Sequence, residues 1–293
     1  MFNYLEVQAY LWHNEFNKLN VKEIITMSKN YFFVKHPVLA AFLIPMFGLL
    51  FMSLLNIFTG QLPEVPGQLA LALLIFLLLL LHRLIYRADF RGCFCSEALN
   101  DRRFLRLVCI ALLIDIIIPT VIGVFIRHNS FKLSYIANGL QAGCCEEIIF
   151  RALPVSVMMA AFKDRKSYVP VLLLGSLLFG FTHLTNLLGD ASLGATILQI
   201  FSASASGLLF CSIYIYSGNI LIPIVMHSIH DVIAFLELGS DAALSIAITP
   251  QLLLEEGLYF VVEIIISVLI LKGRKEQIQA LWNRLWSAAA PPQ

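Results

Sequence analysis

Charge is what this chain has least of. Only 13% of its 293 residues are Asp, Glu, Lys or Arg, against roughly 25% in a soluble domain. Lys and Arg number 20 and Asp and Glu 19, so no strongly basic face exists to hold nucleic acid. Cysteine is sparse too. The six are Cys93, Cys95, Cys109, Cys144, Cys145 and Cys211; most lie in apolar runs, which excludes a secreted disulfide framework. No Cys-x-x-Cys pair and no His-Glu-x-x-His helix is present, so neither common zinc signature applies. Cys93 and Cys95 share a loop and are read as reduced and inert. Residues 1–36 mix polar, aromatic and charged side chains without an early apolar core, so no signal peptide is expected. Internal repeats and low-complexity tracts are absent.

Apolar residues, by contrast, make up 59% of the chain, with a mean hydropathy of +0.83. That composition implies an all-α polytopic membrane bundle, because lipid admits only helices and closed barrels. About 20 mostly apolar residues cross a bilayer. Eight such spans are expected, at 38–58, 67–86, 105–126, 133–161, 168–188, 192–216, 219–238 and 255–272. Cationic residues support the count. Seventeen of the 20 Lys and Arg fall before span one, between spans two and three, between four and five, or after span eight. Arg127 and Lys132 fall on the other side and Arg151 lies within a span. By the positive-inside rule both termini are cytoplasmic, as expected for a multi-pass protein of the cell (inner) membrane. The chain thus divides into an interfacial segment at 1–37, a membrane domain at 38–272 with its core at 133–238, and a tail at 273–293. In the tail, Ile278, Leu281, Trp282, Leu285 and Trp286 repeat at helical spacing, which suits a helix lying on the cytoplasmic surface. Tyr4, Leu5, Tyr10, Leu11 and Trp12 suggest a second such helix. The small-residue run Ser202-Ala203-Ser204-Ala205-Ser206-Gly207 suits close helix approach at the bundle centre.

Against this background the ionisable residues inside spans stand out, since such groups are costly in lipid and mark function. Glu146, Glu147 and Arg151 share one span, His183 lies in the next, and His227, His230 and Asp231 in another. At 1.5 Å rise per residue, His227 lies roughly 12 Å from the cytoplasmic edge, Asp231 roughly 18 Å, and His183 and Glu146 both roughly 22 Å. Glu147 and Arg151 are four apart, the spacing of an ion pair; Glu146 points about 100° away. His227 and Asp231 also share a face. Pro154 frees the carbonyl of Phe150 and bends the helix near these groups. His230 turns away from His227 and is read as a contact to a neighbouring helix. Asp115 and Glu263 are isolated and call for a polar packing partner.

Glu146-Glu147-x-x-x-Arg151, Phe179-x-x-x-His183 and His227-x-x-x-Asp231, in that order, resemble the three motifs of the CPBP family. That family comprises CAAX proteases and bacteriocin-processing intramembrane proteases, including type II CAAX prenyl endopeptidases. The resemblance covers about residues 133–238. It implies an intramembrane endopeptidase acting on a membrane-associated protein or peptide. Glu146 would activate water with His183 assisting, His227 and residue 231 would stabilise the oxyanion, and Glu147 with Arg151 would hold the site. The prenyl proteases have Asn at position 231. An ionised Asp231 cannot donate to an oxyanion, so it either carries a proton or orients a histidine. No cofactor is favoured. One alternative is a zinc protease of the same fold, with His183, His227 and Glu146 as ligands. The other is a non-enzymatic protein, a proton-coupled transporter or immunity protein, because buried Glu, His and Arg also build proton relays.

Overall fold

The computed structural model describes residues 32–85, 90–120, 131–162, 167–189, 191–238 and 248–286. After a single turn at Phe32–Lys35, the helices are α1 (Pro37–Thr59), α2 (Glu64–Ile85), α3 (Arg102–Thr120), α4 (Leu133–Glu147), α5 (Pro154–Phe162), α6 (Val169–Thr182), α7 (Leu193–Ser217), α8 (Leu221–Leu238), α9 (Pro250–Leu271) and α10 (Lys275–Leu285). Among the described residues there is no strand. Helical segments stand at all eight expected positions. Four are long and apolar enough to cross a membrane: α1, α2, α7, and α6 with its continuation to Leu188. Leu221–Leu236 is a shorter apolar helix. Residues 121–126 of the third span, the aromatic N-terminal stretch, Arg127 and Lys163–Lys166 lie outside the described residues. The chain is an integral membrane helical bundle.

Glycine sets how close the helices come. Gly139 and Gly143, four apart on α4, face α8. A Cβ on Gly143 would lie 2.3 Å from Ser228 Oγ and 2.8 Å from the Ile224 carbonyl, and one on Gly139 would lie 2.7 Å from the Ser228 carbonyl. Side chains at these two positions would push the backbones apart, as in other small-residue helix contacts. The result brings the C-terminal end of α4 against the middle of α8. Gly180 plays the same part between α6 and α7, where a Cβ would meet Ser204 Oγ at 2.0 Å. In the small-residue run of α7, Ala205, Ser206 and Gly207 are buried, while Ser202, Ala203 and Ser204 are partly exposed. Ser206 donates to Glu263 Oε1 at 2.8 Å and Ser202 donates to Glu256, which ties α7 to α9 and supplies the polar partner Glu263 needed.

Proline produces the main irregularity. Leu153 N–H donates to the Ile148 carbonyl at 3.0 Å, five residues back, and Ile148–Ala152 forms a π turn between α4 and α5. Pro154 has no N–H to give Phe150, and the wider turn absorbs that loss. π turns are rare and gather at functional sites.

One end of the bundle is plugged. The amphipathic helix α10 exists, but its apolar stripe is covered by protein. Ile278, Leu281, Trp282, Leu285 and Trp286 are all buried. Trp282 Nε1 donates to the Ile215 carbonyl at 2.8 Å and Trp286 Nε1 to the Ser156 carbonyl at 2.9 Å. The expected helix on the lipid surface is therefore corrected. Phe90 stacks on Trp282 and packs at a tilt against Trp286, so the loop after α2 supplies the apolar surface that lipid was expected to supply. Gly218, in the left-handed region at φ 62°, ends α7 where a Cβ would meet Leu285 at 3.1 Å. Cys93 is fully buried in this plug, and burial pushes its thiol up to about 11, consistent with an inert cysteine. All six cysteines are free.

Candidate functional site

Three backbone features converge on one point: the glycine contact of α4 with α8, the π turn, and the end of α6. Glu147 is the last residue of α4 and Arg151 lies in the π turn, and both are fully buried. Arg151 Nη1 donates to Glu147 Oε1 at 2.8 Å. His227 on α8 places Nδ1 2.8 Å from the same oxygen. One carboxylate oxygen thus joins the arginine and the imidazole. Arg151 spends a single N–H on this pair; its Nε and Nη2 have no hydrogen-bonding partner among the described residues. Its guanidinium instead lies over the Phe179 ring at 4.1 Å, a favourable place for a cation.

The hydrogen bond at Nδ1 decides what the other imidazole nitrogen does. With Nδ1–H donated to Glu147, Nε2 faces away from the pair. It lies 3.7 Å from Glu146 Oε2 and 3.7 Å from Asp231 Oδ1. Those distances exceed hydrogen-bonding range and leave a gap bounded by two acids and one imidazole. Glu146 and Asp231 are the accessible members, with side chains 28% and 23% exposed. Glu146 and Glu147, adjacent in sequence, therefore occupy opposite environments.

His183 begins a 3₁₀ turn, His183–Leu188, that continues α6. It is half-buried, edge-on to Phe179 at 5.6 Å, and Asp231 and His227 are the charges that act on it. His230, three residues after His227 on α8, is half-buried. The side chain of Asp115 is outside the described set. The zinc alternative called for Glu146, His183 and His227 as ligands. Among the described residues no three His, Cys, Asp or Glu side chains are grouped to hold a metal ion.

The surroundings are asymmetric. From Glu147 to Met159 every residue is buried, and beyond them lies the α10 plug. On the other side, residues 229–235 of α8 are all partly exposed. The gap opens away from α10.

One contributor was missed from sequence. Phe210 on α7 stacks on His227; it is not ionisable, and nothing in the residue pattern separates it from ordinary core. Gly207, which lets α7 reach Arg151, belongs to the small-residue run already singled out for close helix approach. The Gly139-x-x-x-Gly143 spacing was visible and is itself a signal for a tight helix pair.

Fold and site together define a membrane-embedded cluster of acids and imidazoles in a helical bundle. Residues 128–233 match the family model described as Type II CAAX prenyl endopeptidase Rce1-like. The stretch contains all seven motif residues and agrees with the resemblance drawn from them. The match supports, in general, a CAAX-type intramembrane protease with membrane-associated protein substrates. No curated protein and no solved structure matches the chain.

Proposed function

We propose that this protein is an intramembrane endopeptidase that hydrolyses a peptide bond of a membrane-associated substrate with water activated by Glu146. The observation that carries the reading is the division of labour between neighbouring acids. Glu147 is buried and spent on Arg151 and His227, whereas Glu146 is accessible and holds no hydrogen bond to His227. General-base catalysis requires a base within reach of water, and Glu146 is the acid so placed. Glu146 removes a proton as the water oxygen bonds to the scissile carbonyl carbon, with His183 assisting. The carbonyl π electrons move to oxygen. The resulting oxyanion needs donors aimed at the new charge. A protonated His227 Nε2, fixed by the Nδ1 bond to Glu147, is one, and a protonated Asp231 is the second. Collapse of the intermediate breaks the C–N bond, and the proton held by Glu146 passes to the leaving amine.

Substrate reaches Glu146 from the end of the bundle opposite α10. The positive-inside distribution supports a cytoplasmic plug and cytoplasmic termini, with eight crossings. A prenylated CAAX peptide is the first substrate class to test, following the matched family. Incubating the protein, reconstituted in liposomes, with farnesylated and unmodified CAAX peptides should release the terminal tripeptide. If no bond is cut in either peptide, or in any protein of native membranes compared with and without the enzyme, the protease reading fails.

A further inference from the structure

Helix α7 brings no ionisable group to the site, yet it forms one wall of it. Gly207 and Phe210, three apart on one face of α7, both reach the Arg151–Glu147–His227 cluster. The Phe210 ring is buried and lies nearly parallel to the His227 imidazole, with centroids 5.1 Å apart and planes 21° apart. Its face also lies 5.9 Å from the Arg151 guanidinium. On the other flank Phe179 meets His227 edge-on at 5.9 Å.

We infer that Phe210 is a positioning residue for the reaction, holding the plane of the His227 ring so that Nε2 stays aimed between Glu146 and Asp231. The inference rests on the protease reading above. One hydrogen bond at Nδ1 fixes one direction of the imidazole but leaves the ring free to tilt about that axis. Tilting swings Nε2 away from both acids. A parallel aromatic face opposes the tilt, and it favours an imidazolium formed while the oxyanion is present. The approach of α7 is enforced independently. A Cβ on Gly207 would lie 3.1 Å from Phe179, 3.2 Å from Arg151 Nη2 and 3.2 Å from the Ser176 carbonyl. On its far side, α7 is tied to α9 through Ser202 and Ser206. The ring is therefore delivered by a helix with little freedom to retreat.

The test uses the full-length protein in liposomes with a farnesylated CAAX peptide, comparing Phe210→Leu, Phe210→Met, Phe210→Tyr and Glu146→Gln. Loss of a stack of this strength corresponds to about tenfold in rate. Phe210→Leu and Phe210→Met should lower kcat by about that factor with little change in KM, and Phe210→Tyr, which keeps the ring, should restore most of it. Carbethoxylation of His227 by diethyl pyrocarbonate, followed by mass spectrometry, reads the ring without any substrate. It should accelerate severalfold in the Leu and Met variants and remain slow in the Tyr variant. Wild-type kcat and wild-type labelling in the Leu variant would overturn the inference. So would loss of folded protein in both Leu and Met variants, which would assign Phe210 to structure alone. If Glu146→Gln cleaves at the wild-type rate, the protease reading fails, and the labelling result still judges Phe210 by itself.

Discussion

Replacing Glu147 by glutamine strands a buried cation. Arg151 is fully buried, its Nη1 has Glu147 as partner, and among the described residues its Nε and Nη2 already lack hydrogen-bonding partners. Breaking a buried pair by removing one member costs about 3–5 kcal/mol, and the His227 Nδ1 bond to the same oxygen weakens too. At roughly 2–4 °C per kcal/mol for a chain of this size, the unfolding midpoint should fall by roughly 6–20 °C. Glu146→Gln is the control. Glu146 is partly exposed and 3.7 Å from its nearest imidazole nitrogen, so its replacement should stay within about 0.5 kcal/mol. The double change Glu147→Gln with Arg151→Met removes both charges and should recover most of the loss, because an apolar replacement for a buried pair is often neutral. Differential scanning fluorimetry in one detergent, with all four proteins side by side, measures this. Equal destabilisation by Glu146→Gln and Glu147→Gln would refute separate roles for the two acids.

Three further outcomes follow from the same geometry. Asp231→Asn replaces an acid that must be protonated to donate with a permanent amide donor, so cleavage should be kept or raised at neutral and higher pH; a large loss at every pH with normal folding would assign Asp231 to orienting a histidine. In a cysteine-free background, Thr185→Cys in the 3₁₀ turn after α6 and Arg284→Cys in α10 should be labelled by an impermeant maleimide from opposite sides of the membrane, Arg284→Cys from the cytoplasm; labelling from one side would contradict the direction of entry. Asp101 caps α3, and the Tyr216 hydroxyl, the Phe104 and Arg103 amides and the Arg274 guanidinium hold its carboxyl below the usual aspartate range. Its contribution is complete above the ordinary value of about 4 and is lost as pH falls through the depressed one. Acid release of α10, read by Trp282 and Trp286 fluorescence, should therefore lose part of its pH dependence in Asp101→Asn, and an unchanged titration would refute the link.

How much was legible in the sequence varied with the question asked. Spacing along one helix was enough for the Glu147–Arg151 pair and for the shared face of His227 and Asp231, because helical geometry alone settles both. Pro154 announced a disturbance, though not that a π turn would absorb it. Apolar stripes were equally plain, yet a stripe does not say what covers it. The α10 stripe reads the same whether it meets lipid or Phe90, and only the fold shows that it meets protein. Phe210 was invisible for a related reason: a phenylalanine in an apolar helix has no mark of its function until a histidine is found beneath it. The spans were less sharply defined by length than by charge. Among the described residues, α3, α8, α9 and the α4–α5 segment miss the length or apolarity of a simple crossing helix, since they are short or carry polar groups.

The central claim is that Glu146, rather than its buried neighbour, activates the water. The direct test is single-turnover cleavage of a farnesylated CAAX peptide, or of a substrate found by comparing membrane proteomes of wild type and Glu146→Ala, by reconstituted Glu146→Gln whose unfolding midpoint matches wild type. The account predicts that this folded protein binds substrate and cleaves at least about a thousandfold more slowly, at the scale of losing a general base. Cleavage within a few-fold of the wild-type rate would contradict it.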